Sequence, residues 1–148
     1  MYRKIVWSTD GSEEADLGLE HAKALAAEAG SEVLVVHCEE YIPPGSHLPA
    51  YPVIPDEDEV KAKIERQTSE LAAAGIRAAM LTVTARAGGA AHAIADLAQD
   101  EHADVIVVGT RGRTPLAGLL LGSVTQRLLH IAPCPVLAVP AIAGHSPS

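Results

Sequence analysis

The stretch ADVIVVGTRGRTPLAGLLLGSVTQ, residues 103–126, decides the fold. DVIVVG at 104–109 is a nearly continuous apolar run, which suits a parallel strand covered on both faces. SVTQ at 123–126 opens a helix, with Ser123 and Gln126 in capping-box spacing. Between them stand Gly109, Gly112 and Gly122, two arginines, and the leucines 119–121. Glycines cost backbone entropy unless their freedom is used. Gly109 ends its strand without a side chain, so a flat or ribose-like group can approach the backbone. Gly112 allows a turn that side chains would obstruct. Arg111 and Arg113 can neutralise phosphate, or they simply face water. Ser123, Val124 and Thr125 would offer the first N–H groups of the helix to an anion. The plainer reading of SVTQ is that it only starts a helix.

Outward from this stretch the same alternation repeats. KIVWS at 4–8 reads as a short buried strand. Ser12 can cap the helix that follows, with Glu13 and Glu14 in its first turn. Ala15, Leu19, Ala22, Ala26 and Ala29 make an apolar stripe, and Gly30 ends it. EVLVVHC at 32–38 is the second strand. The proline-rich segment at about 40–57 reads as an irregular loop, either covering a pocket or a variable insertion. A second helix is expected from about Asp58 to Ala74, with Val60, Ile64, Leu71 and Ala74 inward. Residues 76–83 are the third strand and TARAGG a turn-rich connection. Ala90 to Gln99 forms the third helix, and Ala91, Ile94, Ala95 and Ala98 face inward. The last helix stops before Pro133, and PVLAV at 135–139 is the last strand. The tail at 141–148 reads as frayed. Strand and helix alternate throughout, so the expectation is one α/β domain with an open, mostly parallel five-stranded sheet flanked by helices.

The totals fit that domain. The chain has 148 residues and is 48% hydrophobic with no Phe, so aliphatic residues and Ala must fill the core. A formal net charge of −8 opposes general attraction to nucleic acid or an anionic membrane. No 18-residue apolar run is present, and MYRKIVWS is too short in apolar residues for a secretory signal. Cys38 and Cys134 are too few for a disulfide scaffold, which fits a cytoplasmic location, though a bond between them stays open.

In open α/β sheets ligands sit at the carboxyl ends of strands where the strand order reverses. The first strand ends in Ser8-Thr9-Asp10-Gly11 and the fourth in Gly109-Thr110-Arg111-Gly112. If these strands are adjacent, both ends face one crevice. Asp10 has two roles open to it: ligand contact, or an Asx turn within TDGS. The loop is neither a Walker loop nor a Gly-x-Gly-x-x-Gly turn. The pair His92 and Asp96 reads as ordinary surface chemistry, His37 as a satisfied buried or half-buried residue, and Cys134 as packing. No nucleophile elbow is evident.

The segments KIVWSTDGSEEA, VLVVHC, ADVIVVGTRGR and LLLGSVTQRLLHIAPCPVLAVP resemble the universal stress proteins. The motif G-x2-G-x9-G-S/T that marks the ATP-binding branch of that family is complete at Gly109, Gly112, Gly122 and Ser123. The resemblance implies strand order 3-2-1-4-5 in an adenine nucleotide alpha hydrolase-like, Rossmann-like sheet. It also implies a cofactor, ATP with Mg²⁺ or Mn²⁺. Asp10 would lie near ribose and base and help hold the divalent ion, with Ser8 and Thr9 lining that wall. The backbone at Cys38 would face adenine, and Val108 and Gly109 would border adenine and ribose. Arg111 and Gly112 would approach the phosphates, with Arg113 beside them. Gly122, Ser123 and Val124 would wrap them. Arg111 stands where some relatives carry histidine, so it keeps charge but offers no imidazole for proton transfer. The implied function is a nucleotide-dependent regulator in the stress response. Its alternatives are a slow Mg²⁺-dependent ATPase and a nucleotide-free interaction scaffold. The family habit also implies a homodimer through the edge strand 136–139 and a protein partner that the sequence does not name.

Overall fold

A computed structural model describes residues 2–42, 45, 57–110 and 121–140. The elements run β1 (Lys4–Ser8), α1 (Glu13–Ala29), β2 (Glu32–Tyr41), α2 (Glu57–Ala73), β3 (Ala78–Arg86), α3 (Ala90–Asp100), β4 (Val105–Gly109), α4 (Ser123–Ile131) and β5 (Val136–Val139). The sheet has five strands in the order β3-β2-β1-β4-β5, as expected. Every strand pair is parallel.

Side-chain alternation along the strands sorts the core into two layers. Ile5, Trp7, Val33, Val35, Val105 and Val107 pack with Leu19 and Ala22 of α1 and Ile64 and Leu71 of α2. Val6, Leu34, Val36, Ile106 and Val108 pack with Ile94 and Ala98 of α3 and Leu128 of α4. Apolar side chains on both faces explain the unbroken runs of β1, β2 and β4. Trp7 is wholly buried, and its indole N–H donates to the Ala15 carbonyl at 3.0 Å. That bond satisfies its polar atom and fixes α1 against the sheet.

Local signals account for most boundaries. Ser12 caps α1 by accepting from the Ala15 N–H at 3.1 Å, and Gly30 closes it with φ of 68°. Other expectations are corrected. β3 begins at Ala78 and runs to Arg86, so Thr84–Arg86 of the expected turn continue the strand. Their backbone pairs with Glu39, Glu40 and Tyr41 of an equally extended β2, which removes residues 40 and 41 from the loop. α2 includes Glu57 and ends at Ala73, while Ala29 and Ala74 are exposed. The capping box at Ser123 does not form. Gly122 is the N-cap of α4 and makes no side-chain cap bond, so Ser123 is already helical. The rest of the 40–57 loop, apart from Ile42 and Gly45, and the 141–148 tail lie outside the described residues.

Candidate functional site

The strand order reverses between β1 and β4, whose register pairs Trp7 with Val107. The condition for a shared crevice is therefore met. On its β1 side the chain leaves the strand through a tight turn. Thr9 is buried, and its hydroxyl accepts the Gly11 N–H at 3.0 Å. The Oδ1 of Asp10 accepts the Ser12 N–H at 2.9 Å, so the Asx turn is realised. Gly11 sits at φ of 83°, the left-handed region, and a Cβ there would lie 2.8 Å from Val60 Cγ1 of α2. Lys63 of α2 donates to the Gly11 carbonyl at 2.9 Å and to Asp16 Oδ2 at 2.8 Å. Gln67 adds a bond to Asp16 Oδ1 at 2.8 Å, while its own buried Oε1 has no partner among the described residues.

On the β4 side Gly109 ends the strand. The Gly122 N–H donates to the Thr110 carbonyl at 2.6 Å, and Thr125 Oγ1 donates to the Gly109 carbonyl at 2.7 Å. These bonds bring the start of α4 back to the end of β4. The first intrahelical bond runs from the Gln126 N–H to the Gly122 carbonyl. The N–H groups of Ser123, Val124 and Thr125 therefore precede the helical ladder.

Strand alternation puts Ser8, Cys38 and Val108 on the α3/α4 face, where Val124 also packs. Val108 and Gly122 are buried, Ser8, Cys38 and Val124 half-buried, and Ser123 exposed. Burial, reinforced by Glu40 and Glu39, pushes the Cys38 thiol up to about 11. The thiol is therefore protonated at neutral pH and poorly nucleophilic. Arg111, Gly112 and Arg113 lie outside the described residues. Cys134 packs against the α3/α4 layer, and His92 and Asp96 are exposed, both as expected.

Two features escaped sequence reasoning. Thr125 is buried in the inner stripe of α4 beside Leu128. A hydroxyl at a core position signals a required hydrogen bond, but only once the helix phase is known. The second is a cluster on the α1/α2 face, where His37 meets Glu57 and Glu39. His37 is buried, but its partner Glu57 comes from a helix 20 residues downstream and could not be assigned. Lys61 lies 2.5 Å from Glu39 Oε1, and that bond holds the Glu39 carboxyl below its ordinary range.

An open parallel α/β sheet whose strand order reverses between β1 and β4 defines a Rossmann-like class. Within it, the chain belongs to the universal stress protein family, whose family model matches residues 1–140. A universal stress protein of Thermus aquaticus is 35% identical, over 94% of this chain and 99% of that relative. MJ0577 of Methanocaldococcus jannaschii is 30% identical, over 94% of this chain and 95% of its own length. The solved structure of MJ0577 superposes with a TM-score of 0.75 and 29% identity, covering 95% of this chain and 96% of that one. A universal stress protein from Archaeoglobus fulgidus in complex with dAMP gives 0.66 at 26% identity, covering 93% and 98%. Another family member has been solved in complex with cAMP, with a TM-score of 0.67 at 25% identity, covering 93% and 96%.

Proposed function

We propose that this universal stress protein binds ATP with Mg²⁺ or Mn²⁺ and acts as a nucleotide-dependent regulator in the stress response. The observation that carries the reading is the return of α4 to the end of β4, through Gly122 and Thr125, at the switch point of the sheet. It delivers a helix N-terminus to the crevice, where peptide dipoles and unpaired N–H groups favour phosphate. The dAMP and cAMP complexes of relatives support an adenine nucleotide as the ligand class. In this reading Ser8, Thr9, Asp10, Cys38, Val108 and Gly109 surround base and ribose. Arg111, Gly112, Arg113, Gly122, Ser123 and Val124 surround the phosphates.

A divalent ion suits the half-exposed Asp10. Hard cations such as Mg²⁺ take one or two carboxylates together with phosphate oxygens and water. The ion would screen phosphate charge, and Asp10 would orient it. Bound nucleotide would then bias the loop between Gly109 and Ser123 towards one arrangement, altering recognition by a protein partner yet to be identified. A cytoplasmic location accords with the absence, among the described residues, of any helix long and apolar enough to cross a membrane. A homodimer through β5 is supported by its place at the sheet edge and by exposed Leu137. A concentration-independent monomer mass in sedimentation would contradict it.

Calorimetry with ATP and Mg²⁺ tests the central reading. Saturable binding is expected, weakened at least about tenfold by Gly122→Val. Gly122 has φ of −70°, which valine also adopts, so the substitution tests space near the phosphates rather than backbone strain. Absence of saturable binding at millimolar ATP overturns the reading in favour of a scaffold. Phosphate release that follows the purified protein and vanishes in Asp10→Asn would replace regulation by slow hydrolysis.

A further inference from the structure

We propose that His37, Glu39 and Glu57 form a second site, for a divalent transition-metal ion of the zinc class, separate from any ion at Asp10. Three observations converge on it. First, the backbone brings the residues together. His37 and Glu39 are two apart on β2 and so share the α1/α2 face of the sheet. Glu57 is the first residue of α2, which packs on that same face. One ligand atom from each of the three lies within 4.8 Å of the others, a spacing that a single ion can bridge.

Second, the hydrogen bonds of His37 leave its Nε2 lone pair for a metal ion or a proton. Its ring is wholly buried. Nδ1 lies 3.1 Å from the Thr9 carbonyl oxygen, which can only accept, so Nδ1 carries a proton and donates. Nε2 lies 3.0 Å from Glu57 Oε2. A neutral ring has one N–H, and here it is already committed. The Nε2 lone pair would then face a carboxylate oxygen, which is repulsive. A metal ion between Nε2 and Glu57 Oε2 removes that repulsion, as a proton shared by the two would.

Third, the surroundings match those of a metal-bound histidine. Such a ring donates its other N–H to a backbone carbonyl or carboxylate, which fixes the tautomer and aims the free nitrogen. Thr9 supplies that carbonyl. Imidazole with two carboxylates suits a borderline ion such as Zn²⁺, and the ligand set carries the charge to offset a dication. Lys61 holds Glu39 through its ammonium group, and its side chain is 39% exposed. It can turn into solvent when an ion takes Glu39. The ion would tie the end of β2 to the first turn of α2, beside the Thr9 turn of the crevice.

The test uses the full chain, freed of metal by a chelator and without nucleotide. Failure of ATP binding therefore leaves its outcome unaffected. Zn²⁺ is titrated by calorimetry, and Co²⁺ by its visible absorption. Expected is one saturable Zn²⁺ site, weakened at least about tenfold by either Glu57→Gln or Glu39→Gln and unchanged by Asp10→Asn. Both glutamates are partly exposed, and circular dichroism checks that the variants fold. No saturable binding at about 100 μM Zn²⁺ overturns the proposal, leaving a shared proton between His37 and Glu57. Binding that survives both glutamine variants also overturns it, by assigning the ion to other histidines. Equal competition by Mg²⁺ overturns the imidazole ligation.

Discussion

The two strand ends that frame the crevice are built in opposite ways. The β1 end closes on itself. Thr9, Asp10 and Ser12 each accept a backbone N–H from a residue two or three positions on. α2 then braces the turn with Val60 against Gly11 and Lys63 on the Gly11 carbonyl. The β4 end closes at a distance, through bonds from Gly122 to Thr110 and from Thr125 to Gly109. A turn made of short local bonds is specified as soon as the strand forms. An end made by returning chain exists only when the following helix has docked. The first is thus suited to be a fixed wall, and under the proposed function the second is the side on which nucleotide would act.

If the β1 end is a fixed wall, disturbing it should cost the most. Gly11→Ala meets two penalties, the left-handed backbone and the side chain of Val60. Together they should destabilise by about 2–4 kcal/mol. Gly30→Ala is the internal control, because Gly30 also has positive φ but a Cβ there would meet nothing within 4 Å. It should cost about 1–2 kcal/mol from the backbone alone. Urea unfolding of the two variants measures the difference. Equal losses would show that α2 yields at Val60 and that the wall is not rigid.

Thr125→Val attacks the β4 end without changing side-chain size. It leaves the Gly109 carbonyl without its 2.7 Å donor in a buried place. The expected loss is about 1–2 kcal/mol in urea unfolding, and Thr125→Ser should recover most of it. ATP affinity should fall in Thr125→Val as well, since α4 loses its tie to β4. The Gly11 variant should change stability more than Thr125→Val does. The reverse order would mean that the β4 end holds the crevice together.

This contrast also explains what was legible in the sequence. Strand order and the element sequence followed from apolar runs, helical stripes and motif resemblance. At the β1 end Asp10 and Ser12 signal their local roles within three consecutive positions, so the cap could be read directly and the Asx turn was one of two roles open to Asp10. The capping box at Ser123 could not be settled by spacing. Its residues are right, but the helix phase places Gly122 at the cap instead. TARAGG carries turn residues, yet β2 offers Glu39–Tyr41 as partners and the strand continues through Arg86. Pairing overrides local propensity there. The partners of Thr125 and His37 depend on which faces meet in space, which no local pattern encodes.

The smallest expected effect lies at the opposite ends of the same two strands. Asp104, just before β4, accepts the N–H groups of Arg3 and Lys4 at 2.8 Å and 3.0 Å, while its own N–H donates to the Lys4 carbonyl at 2.8 Å. This clamp joins β1 and β4 at their amino ends, so differences at their carboxyl ends can be attributed to the turns. The bonds from Lys4 and Arg3 hold the Asp104 carboxyl below its ordinary range. A depressed folded pKa means that the unfolded chain takes up the proton first as pH falls. The stabilisation is therefore complete above the ordinary aspartate value and is lost as pH drops through the folded value. The group is exposed enough for solvent to screen it, so Asp104→Asn should lower the urea midpoint at pH 7 only slightly. The gap between wild type and Asp104→Asn should narrow from pH 7 to pH 3. A gap that stays constant over that range would show that charge contributes nothing to the clamp, and that its hydrogen bonds alone align the two strands.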